Sequence, residues 1–501
     1  MSEKICVRGG RVLEPDGSSA PYRDLIIDDG TIVDIVSPEE SRGVTTQIVN
    51  ATDRLLIPGL VNAHTHGHGS LGRGMGDRWT LELLLNAGPW LSGKRTMEHK
   101  YIAAALNAAE MILKGCTSAY DLYFEFPAPT PEGMGTVAQA YRDVGARVVI
   151  APMLADMSLY EAVPGLMDSL PEPLRRQAGQ FALNPFEETA AACQTFLESW
   201  THPADEAKPA LAPTIPLHCS DPFLERCRDL ARAHGVGLHT HLAESRTQAV
   251  SALKRYGRTL TAHLDALGVL GPNFTAAHGI WLDDDDIARL AANGCAVAHN
   301  PGSNLRLGTG VAPIRKLLDA GVRVGVGSDG TNSSDNQNMF EAVRLAANVS
   351  RVADVDPDRW VSAGEALKMA TSEGAAILDL ATATGRIEIG ARADIVFLDL
   401  DNINLVPFND PVNLLVYSED ATSVKSVMVN GRMVLDNGRF TRFDCRSLVR
   451  RAQDAAEELR ARTAENRQIS AQLERHVAKH CLCLCREPYP VERLICDPVK
   501  E

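Results

Sequence analysis

His64, His66 and His68 fall within five residues at the end of an apolar run. Residues two apart on a β-strand project from the same face, so His64 and His66 are expected to point the same way. A pair of imidazoles can bind zinc or another divalent metal. Gly67 and Gly69 weaken strand structure, so His68 is expected to lie in the following loop. On these residues alone, two core histidines bonded to backbone groups are the alternative.

Seven further polar residues close apolar runs later in the chain: His239, His241, Glu244, His278, His299, Asn304 and Asp329. Barrels of alternating strands and helices carry their chemistry at the carboxyl ends of the strands. Unrelated core histidines would not share that placement, so the pattern favours one site. His239 lies one layer deeper than His241 and is interpreted as structural.

The middle of the chain alternates apolar strands with helical segments over residues 59–385. In the segment 222–234, apolar residues at 223, 224, 227, 230 and 231 follow the spacing of an amphipathic helix. Such repetition predicts an α/β fold with a (β/α)₈ TIM barrel, which holds the site.

The two ends of the chain have a different pattern. Residues 1–58 and 386–443 contain short strands with turn signals at Asp29-Gly30 and Asn430-Gly431, and they predict one small β-sandwich domain built from both ends. Residues 444–501 predict a helical extension with an imperfect apolar stripe and a cysteine-containing tail. Because the Cys481–Cys485 spacing is poor for zinc, we interpret that tail as loosely ordered or as an oligomer contact.

Composition excludes several classes of function. The chain has 501 residues, a formal net charge of −14 and 45% hydrophobic residues. An acidic protein is a poor partner for nucleic acid or an anionic membrane, and no apolar run is long enough to span a bilayer. Since no secretory signal is visible, the eleven cysteines are interpreted as reduced thiols of a cytoplasmic protein.

The order of the motifs resembles the amidohydrolase superfamily. The matching segments are Pro58-Gly-Leu-Val-Asn-Ala-His-Thr-His66, His-Leu-Ala-Glu at 241–244, Ala-His-Gly at 277–279, His-Asn-Pro-Gly-Ser-Asn at 299–304 and Gly-Ser-Asp-Gly at 327–330. They are most similar to the aminohydrolase and chlorohydrolase branch, which includes cytosine, guanine, adenosylhomocysteine and triazine deaminases. The resemblance extends to about residue 443.

The resemblance implies that His64, His66, His241 and Asp329 bind one divalent metal ion, most simply Zn²⁺, with Fe²⁺ as the alternative. Three imidazoles and a carboxylate suit either ion and leave a position for water, whose pKa the metal lowers towards about 7. A second metal would need a bridging carboxylated lysine. Lys208 precedes its apolar stretch, so one metal per chain is expected.

Catalytic roles follow for three residues. Asp329 is expected to take a proton from the metal-bound water, and Glu244 to carry protons to the ring nitrogen and the leaving group. His278 is expected to stabilise developing charge. His68, Tyr123 and Asn304 are candidates for substrate binding, and Trp79 and Trp90 are weaker ones.

The expected activity is hydrolytic deamination of an amino-substituted nitrogen heterocycle of purine, pyrimidine, pterin or triazine type, by attack of hydroxide on a ring carbon. Thr214 stands where relatives have a substrate-contacting histidine, with His218 nearby, and Gly69 lowers the case for guanine. Removal of chloride or opening of a cyclic amide at the same site is the first alternative. A non-catalytic assembly protein is the alternative of another class. A homodimer or higher homo-oligomer is expected.

Overall fold

A computed structural model describes residues 4–43 and 47–494 of the protein. Cys496, which the sequence places in the cysteine-containing tail, lies outside these residues.

The described strands are β1 (Ile5–Val12), β2 (Tyr22–Asp28), β3 (Thr31–Val36), β4 (Gln47–Asn50), β5 (Arg54–Pro58), β6 (Leu60–His66), β7 (Cys116–Tyr123), β8 (Arg147–Leu154), β9 (Ala207–Pro209), β10 (Ala212–Pro213), β11 (Leu238–Leu242), β12 (Phe274–His278), β13 (Ala296–His299), β14 (Arg323–Val326), β15 (Asp329–Gly330), β16 (Ile395–Asp399), β17 (Val424–Val429), β18 (Arg432–Asp436) and β19 (Arg439–Phe440).

The described α-helices are α1 (Leu81–Leu91), α2 (Met97–Leu113), α3 (Pro131–Val144), α4 (Leu159–Ala162), α5 (Leu166–Ser169), α6 (Glu172–Ala178), α7 (Phe186–Glu198), α8 (Asp221–His234), α9 (Arg246–Tyr256), α10 (Leu260–Ala266), α11 (Asp284–Ala292), α12 (Pro301–Arg306), α13 (Ile314–Asp319), α14 (Met339–Ala353), α15 (Ala363–Met369), α16 (Ser372–Ile377), α17 (Pro411–Asn413), α18 (Cys445–Arg462) and α19 (Ala464–Cys485). Short 3₁₀ helices occur at Glu40–Gly43, Gly67–Gly72, Gly179–Phe181, Pro216–His218, Pro357–Arg359 and Ile403–Leu405, and a π-helical turn at Leu414–Ser418.

Parallel strands in the middle of the chain form a barrel. One sheet runs β10-β8-β7-β6-β15, with β9 also paired to β8, and a second runs β11-β12-β13-β14. A parallel bridge between Leu211 and Leu238 joins the two sheets. At the other side, β15, which follows β14 in the chain, pairs in parallel with β6. Helices follow the strands, so the fold is the TIM-barrel type expected from the alternation in sequence. Small side chains such as Ala63, Ala151 and Ala298 fill the interior.

Strands from both chain ends share one sheet, in the order β19-β18-β17-β16-β5-β1-β2-β3, with β4 paired to β1. The two predicted turns are present: Asp29 and Gly30 have φ of 47° and 73°, and Asn430 and Gly431 have 53° and 73°. Positive φ at both central residues is the requirement of the type I′ hairpin, which Asn and Asp followed by Gly meet. Assembly of this sheet into a β-sandwich stays a prediction, as do the domain limits.

A buried ion pair connects this sheet to the base of the barrel. Arg147, the first residue of β8, donates from Nε and Nη2 to the two carboxylate oxygens of Asp394, at 2.8 and 3.2 Å. Both side chains are almost fully buried. Two parallel hydrogen bonds fix their orientation, so this contact sets the sheet against the amino-terminal face of the barrel, opposite the face where strands end.

The helix predicted over 222–234 is α8, and it buries the five apolar positions that define its predicted face: Phe223, Leu224, Cys227, Leu230 and Ala231. Asp221 lies in its first turn and Gly235 ends it with φ of 63°. These are the residue types that favour a helix start and a left-handed cap.

The carboxyl-terminal extension consists of two helices, because α18 ends at Arg462 and α19 begins at Ala464. This break explains the imperfect stripe in the sequence. The interpretation of Cys481–Cys485 as loosely ordered is wrong, since these residues are the last turn of α19. The apolar face of the helix continues through Cys481 and Leu484, and it packs together with Leu83 of α1. Among the described residues, no helix is both long and apolar enough to cross a membrane.

Candidate active site

The four predicted metal ligands lie together on the side of the barrel where β6, β11 and β14 end. His64 and His66 end β6, His241 is on β11, and Asp329 begins β15. Asp329 Oδ1 lies 3.1 Å from His66 Nε2 and 3.4 Å from His64 Nε2, and the Nε2 atoms of His66 and His241 are 3.1 Å apart. All four side chains are buried. The donor set converges on one point.

Backbone carbonyl groups orient two of these imidazoles. His66 Nδ1 lies 2.7 Å from the carbonyl oxygen of Leu122, and His241 Nδ1 lies 2.5 Å from that of Thr214. A carbonyl only accepts, so each ring carries its proton on Nδ1 and directs the Nε2 lone pair into the cluster. Two lone pairs at this distance repel unless a positive charge lies between them. The residues therefore fit a divalent cation.

The electrostatics of the cluster also call for a positive charge. Burial opposes protonation of His66, yet the neighbouring carboxylate of Asp329 raises the pKa of this ring above the usual value. For Asp329, burial is outweighed by the neighbouring imidazoles of His64 and His66, which bring the pKa of the carboxyl group well below the usual range. The carboxylate is thus held ionised, and both ring nitrogens of His64 lack a hydrogen-bond partner.

A register irregularity in β6 turns the two histidines into the site. Pairing with β7 shifts between Asn62 and Thr65. Thr65 and Asn62 both contact Gln337, whereas Val61 packs in the barrel interior. Such irregularities re-aim side chains next to active sites.

Two site residues have left-handed backbone conformations. His278 has φ of 68° and Asp329 has φ of 60°, and Ala243, beside Glu244, has φ of 48°. Non-glycine residues adopt this region at a cost of about 1–3 kcal/mol. The strain lies where β11 and β12 end and where β15 begins. Ser333 Oγ donates to Asp329 Oδ2 at 3.0 Å and leaves Oδ1 for the cluster.

Glu244 lies beside the metal cluster and faces His278. The two side chains are buried, with 3.6 Å between Glu244 Oε1 and His278 Nε2. Burial raises the pKa of Glu244 well above its usual value, and the charges of Asp329 and Glu82 raise it further. Glu244 Oε2 and His278 Nε2 have no hydrogen-bond partner. A neutral carboxyl group at this position can deliver a proton.

Asn304 lies behind His278 and is not among the residues that line the cavity. Asn304 Oδ1 lies 2.8 Å from His278 Nδ1 and accepts a hydrogen bond from the N–H of the ring. His278 therefore presents an Nε2 lone pair to the site, and burial lowers its pKa so that the ring is neutral. Asn304 was expected to contact substrate; the structure gives it contact with His278 instead.

His239 and His299 are fully buried and lie outside the candidate ligand groups of the described residues. The ring of His239 contacts Tyr120, with centroids 4.6 Å apart, and His64 at 5.0 Å. Burial lowers the pKa of His299 to about 3. The structural interpretation of His239 stays a prediction. Lys208, on β9, binds Asp379 at 2.9 Å and lies away from the cluster.

A cavity opens directly onto the cluster. It encloses about 1140 Å³ of space that protein atoms do not fill, part of it open to solvent, which suits a small-molecule ligand. His66, His241, Glu244, His278 and Asp329 form its inner end. Trp79 and Trp90 pack against each other and do not line it.

His68 lines this cavity, as expected, and Tyr123 does not. Phe124 donates its backbone N–H to His68 Nδ1 at 3.1 Å, so the neutral ring carries its proton on Nε2. Tyr123 is on the same face of β7 as Asp121, packs between the barrel and its helices and donates to the Lys100 carbonyl. Because side chains alternate along a strand, Tyr123 points away from the cavity and the next residue, Phe124, lies in the cavity wall.

Thr214 and His218 both line the cavity. The backbone oxygen of Thr214 holds His241, a role that residue type does not reveal. His218 ends the 3₁₀ helix Pro216–His218, and burial lowers its pKa to about 4. The sequence analysis did not predict that α1 forms one wall of the cavity, because the leucines of α1 have the spacing of an ordinary amphipathic helix.

Comparison with known proteins agrees with this site. A model of the Amidohydrolase family matches residues 55–434. The 5'-deoxyadenosine deaminase of Methanosarcina barkeri is 32% identical over 449 residues, which cover 89% of this chain and 96% of that protein. An adenosine deaminase from Xanthomonas campestris, crystallised with bound zinc, has 26% identity and a TM-score of 0.81, with 91% of this chain and 98% of that chain covered. Atrazine chlorohydrolase from Arthrobacter aurescens TC1, complexed with zinc, has 27% identity and a TM-score of 0.79, with 90% and 100% covered.

These comparisons confirm the resemblance seen in the motifs. The family and the deaminase relatives make the chain a hydrolase of carbon–nitrogen bonds. Metal-dependent hydrolytic deamination of a heterocycle is consistent with both the relatives and the cluster of histidines and aspartate. With a family model matched from residue 55 to residue 434, the chain belongs to the amidohydrolase family.

Proposed function

We propose that this protein removes the exocyclic amino group of a planar nitrogen heterocycle as ammonia, using one zinc ion per chain. The observation that carries the proposal is the convergence of His64, His66, His241 and Asp329 beside Glu244, at the closed end of a cavity. The adenosine-type deaminase relatives favour a 6-aminopurine ring over the pyrimidine, pterin and triazine rings.

In this proposal His64, His66, His241 and Asp329 hold the metal. When bound, the ion supplies Lewis acidity, which makes water a nucleophile near neutral pH. The carbonyls of Leu122 and Thr214 keep His66 and His241 in the tautomer that binds it. Zinc fits three imidazole nitrogens and one carboxylate oxygen, and the zinc-containing relatives support it over iron.

Proton transfer falls to three side chains. Asp329 Oδ1 is ionised and free of other hydrogen bonds, so it can accept a proton from water. Glu244, whose pKa is raised by burial, can donate its proton to the ring nitrogen, and the proton that Asp329 accepts from water is then available to the departing amine. Neutral His278 offers Nε2 as an acceptor that orients water, and Asn304 fixes its ring. The sequence analysis instead gave His278 the role of stabilising developing charge.

Release of chloride is the second candidate, because a neighbour with a TM-score of 0.79 is an atrazine chlorohydrolase. The same proton donor and water-orienting groups would serve it. The homodimer and the cytoplasmic location stay predictions. Cys481, in the segment interpreted as a possible oligomer contact, packs with Leu83 of α1 in the same chain, so sedimentation should test for a dimer that does not use this face.

The test is a substrate screen on metal-loaded protein. We expect about one zinc per chain and ammonia release from an aminopurine, both lost on chelation and in His241→Ala. His234→Ala is the matched control, because His234 is exposed at the end of α8. Chloride release without ammonia would favour the second candidate. Release of neither from any aminopurine, -pyrimidine, -pterin or -triazine would contradict both.

A further inference from the structure

We propose that the substrate carries an uncharged, mainly apolar substituent, of hydrocarbon or thioether type, on its heterocycle. This rests on the proposed function, since the ring is taken to bind at the metal end. The substituent would occupy an outer lobe of the same cavity, defined here by Leu84, Leu85, Phe126, Met157, Phe181 and Leu183.

The outer lobe is built from segments beyond the barrel strands. Leu84 and Leu85 are on α1, and the other four residues lie in the connections after β7 and β8. Hydrocarbon, aromatic and thioether groups line it, and they favour a ligand surface of the same kind. Burial of such a surface would contribute binding energy in proportion to its area.

No lysine or arginine of the described residues lines the cavity, and its carboxylates, Glu244 and Asp329, belong to the metal end. A carboxylate, phosphate or ammonium group on the substituent would therefore lose water without gaining a partner of opposite charge. The remaining polar lining groups include Ser92, Thr214 and His218, which are neutral. They can hydrogen-bond a neutral ligand and cannot compensate a full charge.

The wall is held in place by the carboxyl-terminal extension. Asn86 of α1 donates to the Ser470 carbonyl at 3.0 Å, and Tyr160 donates to Asn86 Oδ1 at 2.9 Å. Leu83 packs with Leu473 and shares an apolar cluster with Phe181 of the lobe. A wall bonded and packed on its outer side has little freedom to admit a charged group by rearrangement.

The experiment compares pairs of ligands that share a ring and differ in the charge of the substituent. 5′-Methylthioadenosine and S-adenosylhomocysteine share the ring and thioether, and the second adds a zwitterionic amino acid. Butyl and 3-carboxypropyl derivatives of aminopurine and aminotriazine rings extend the comparison. Dissociation constants and, where ammonia appears, kcat/KM are measured for each pair. We expect the neutral member to be favoured at least roughly 30-fold.

Equal or better binding of the charged members, or binding of neither member of any pair, would overturn the inference. Ammonia release from none of them contradicts the proposed function, while the ratio of dissociation constants still decides this inference. Leu84→Lys should improve the preference for the carboxylates at least roughly tenfold with zinc content unchanged. Leu84→Gln is the uncharged control, and Leu183→Lys provides a second site for the charge. Unchanged preference in both lysine variants would also count against the outer lobe.

Discussion

The two ends of the cavity are built on opposite principles. At the metal end, strand termini carry strained residues and polar atoms without protein partners, such as Glu244 Oε2 and His278 Nε2. At the outer lobe, helices and connections carry apolar side chains, and polar atoms behind the wall, such as those of Asn86, are satisfied. Chemistry is thus placed on the rigid barrel, and substrate selection on segments that can vary without disturbing it.

Among variants that distinguish the metal end of the cavity from the outer lobe, Glu244→Gln should have the largest effect on kcat. The amide cannot deliver a proton, so we expect kcat to fall by about 10²–10⁴-fold while zinc content and ligand preference stay unchanged. Ammonia release with parallel metal analysis measures this. Glu474→Gln, on the exposed side of α19, is the control. A variant with near-normal kcat would remove Glu244 from the proton path.

A smaller effect at the same end is expected from Asn304, which acts through His278. Asn304→Leu removes the acceptor at His278 Nδ1 and should lower kcat by about 10–100-fold, with KM little changed. Asn304→Asp keeps an acceptor oxygen and should retain more activity than Asn304→Leu. If Asn304 instead contacts substrate, as the sequence suggested, KM would rise in both variants.

The smallest effect on chemistry should come from the support of the outer lobe. Leu473→Ala leaves a cavity behind α1 and should lower the free energy of unfolding by about 2–5 kcal/mol. We expect kcat and zinc content to change little and KM for neutral substrates to rise. Urea unfolding and steady-state kinetics measure both. Leu482→Ala is the control, because Leu482 is 54% exposed. A fall in zinc content would mean that the two ends are not independent.

Local signals predicted much of the architecture correctly. Residue spacing located α8 and its buried face, and the Asp29-Gly30 and Asn430-Gly431 pairs located two hairpin turns. The break between α18 and α19 at Thr463 was not predicted, because the polar residues on both sides of it favour helix equally well. Tyr123 was assigned to the substrate because residue type does not say which face of a strand looks inward. Asn304 was assigned to it because residue type does not show that this helical amide contacts His278.

The residue pattern was enough to predict the chemically active groups and their order along the chain: a histidine pair on one strand, with His241, Glu244, His278 and Asp329 after later apolar runs. The periodicity of apolar residues is enough for this prediction, because it is a local property of the sequence. How these groups act depends on the folded arrangement. The shift in β6, the carbonyls that select each tautomer and the apolar lobe backed by α19 all depend on contacts between distant segments. Such contacts arise from packing of the whole barrel, which no short window of sequence contains.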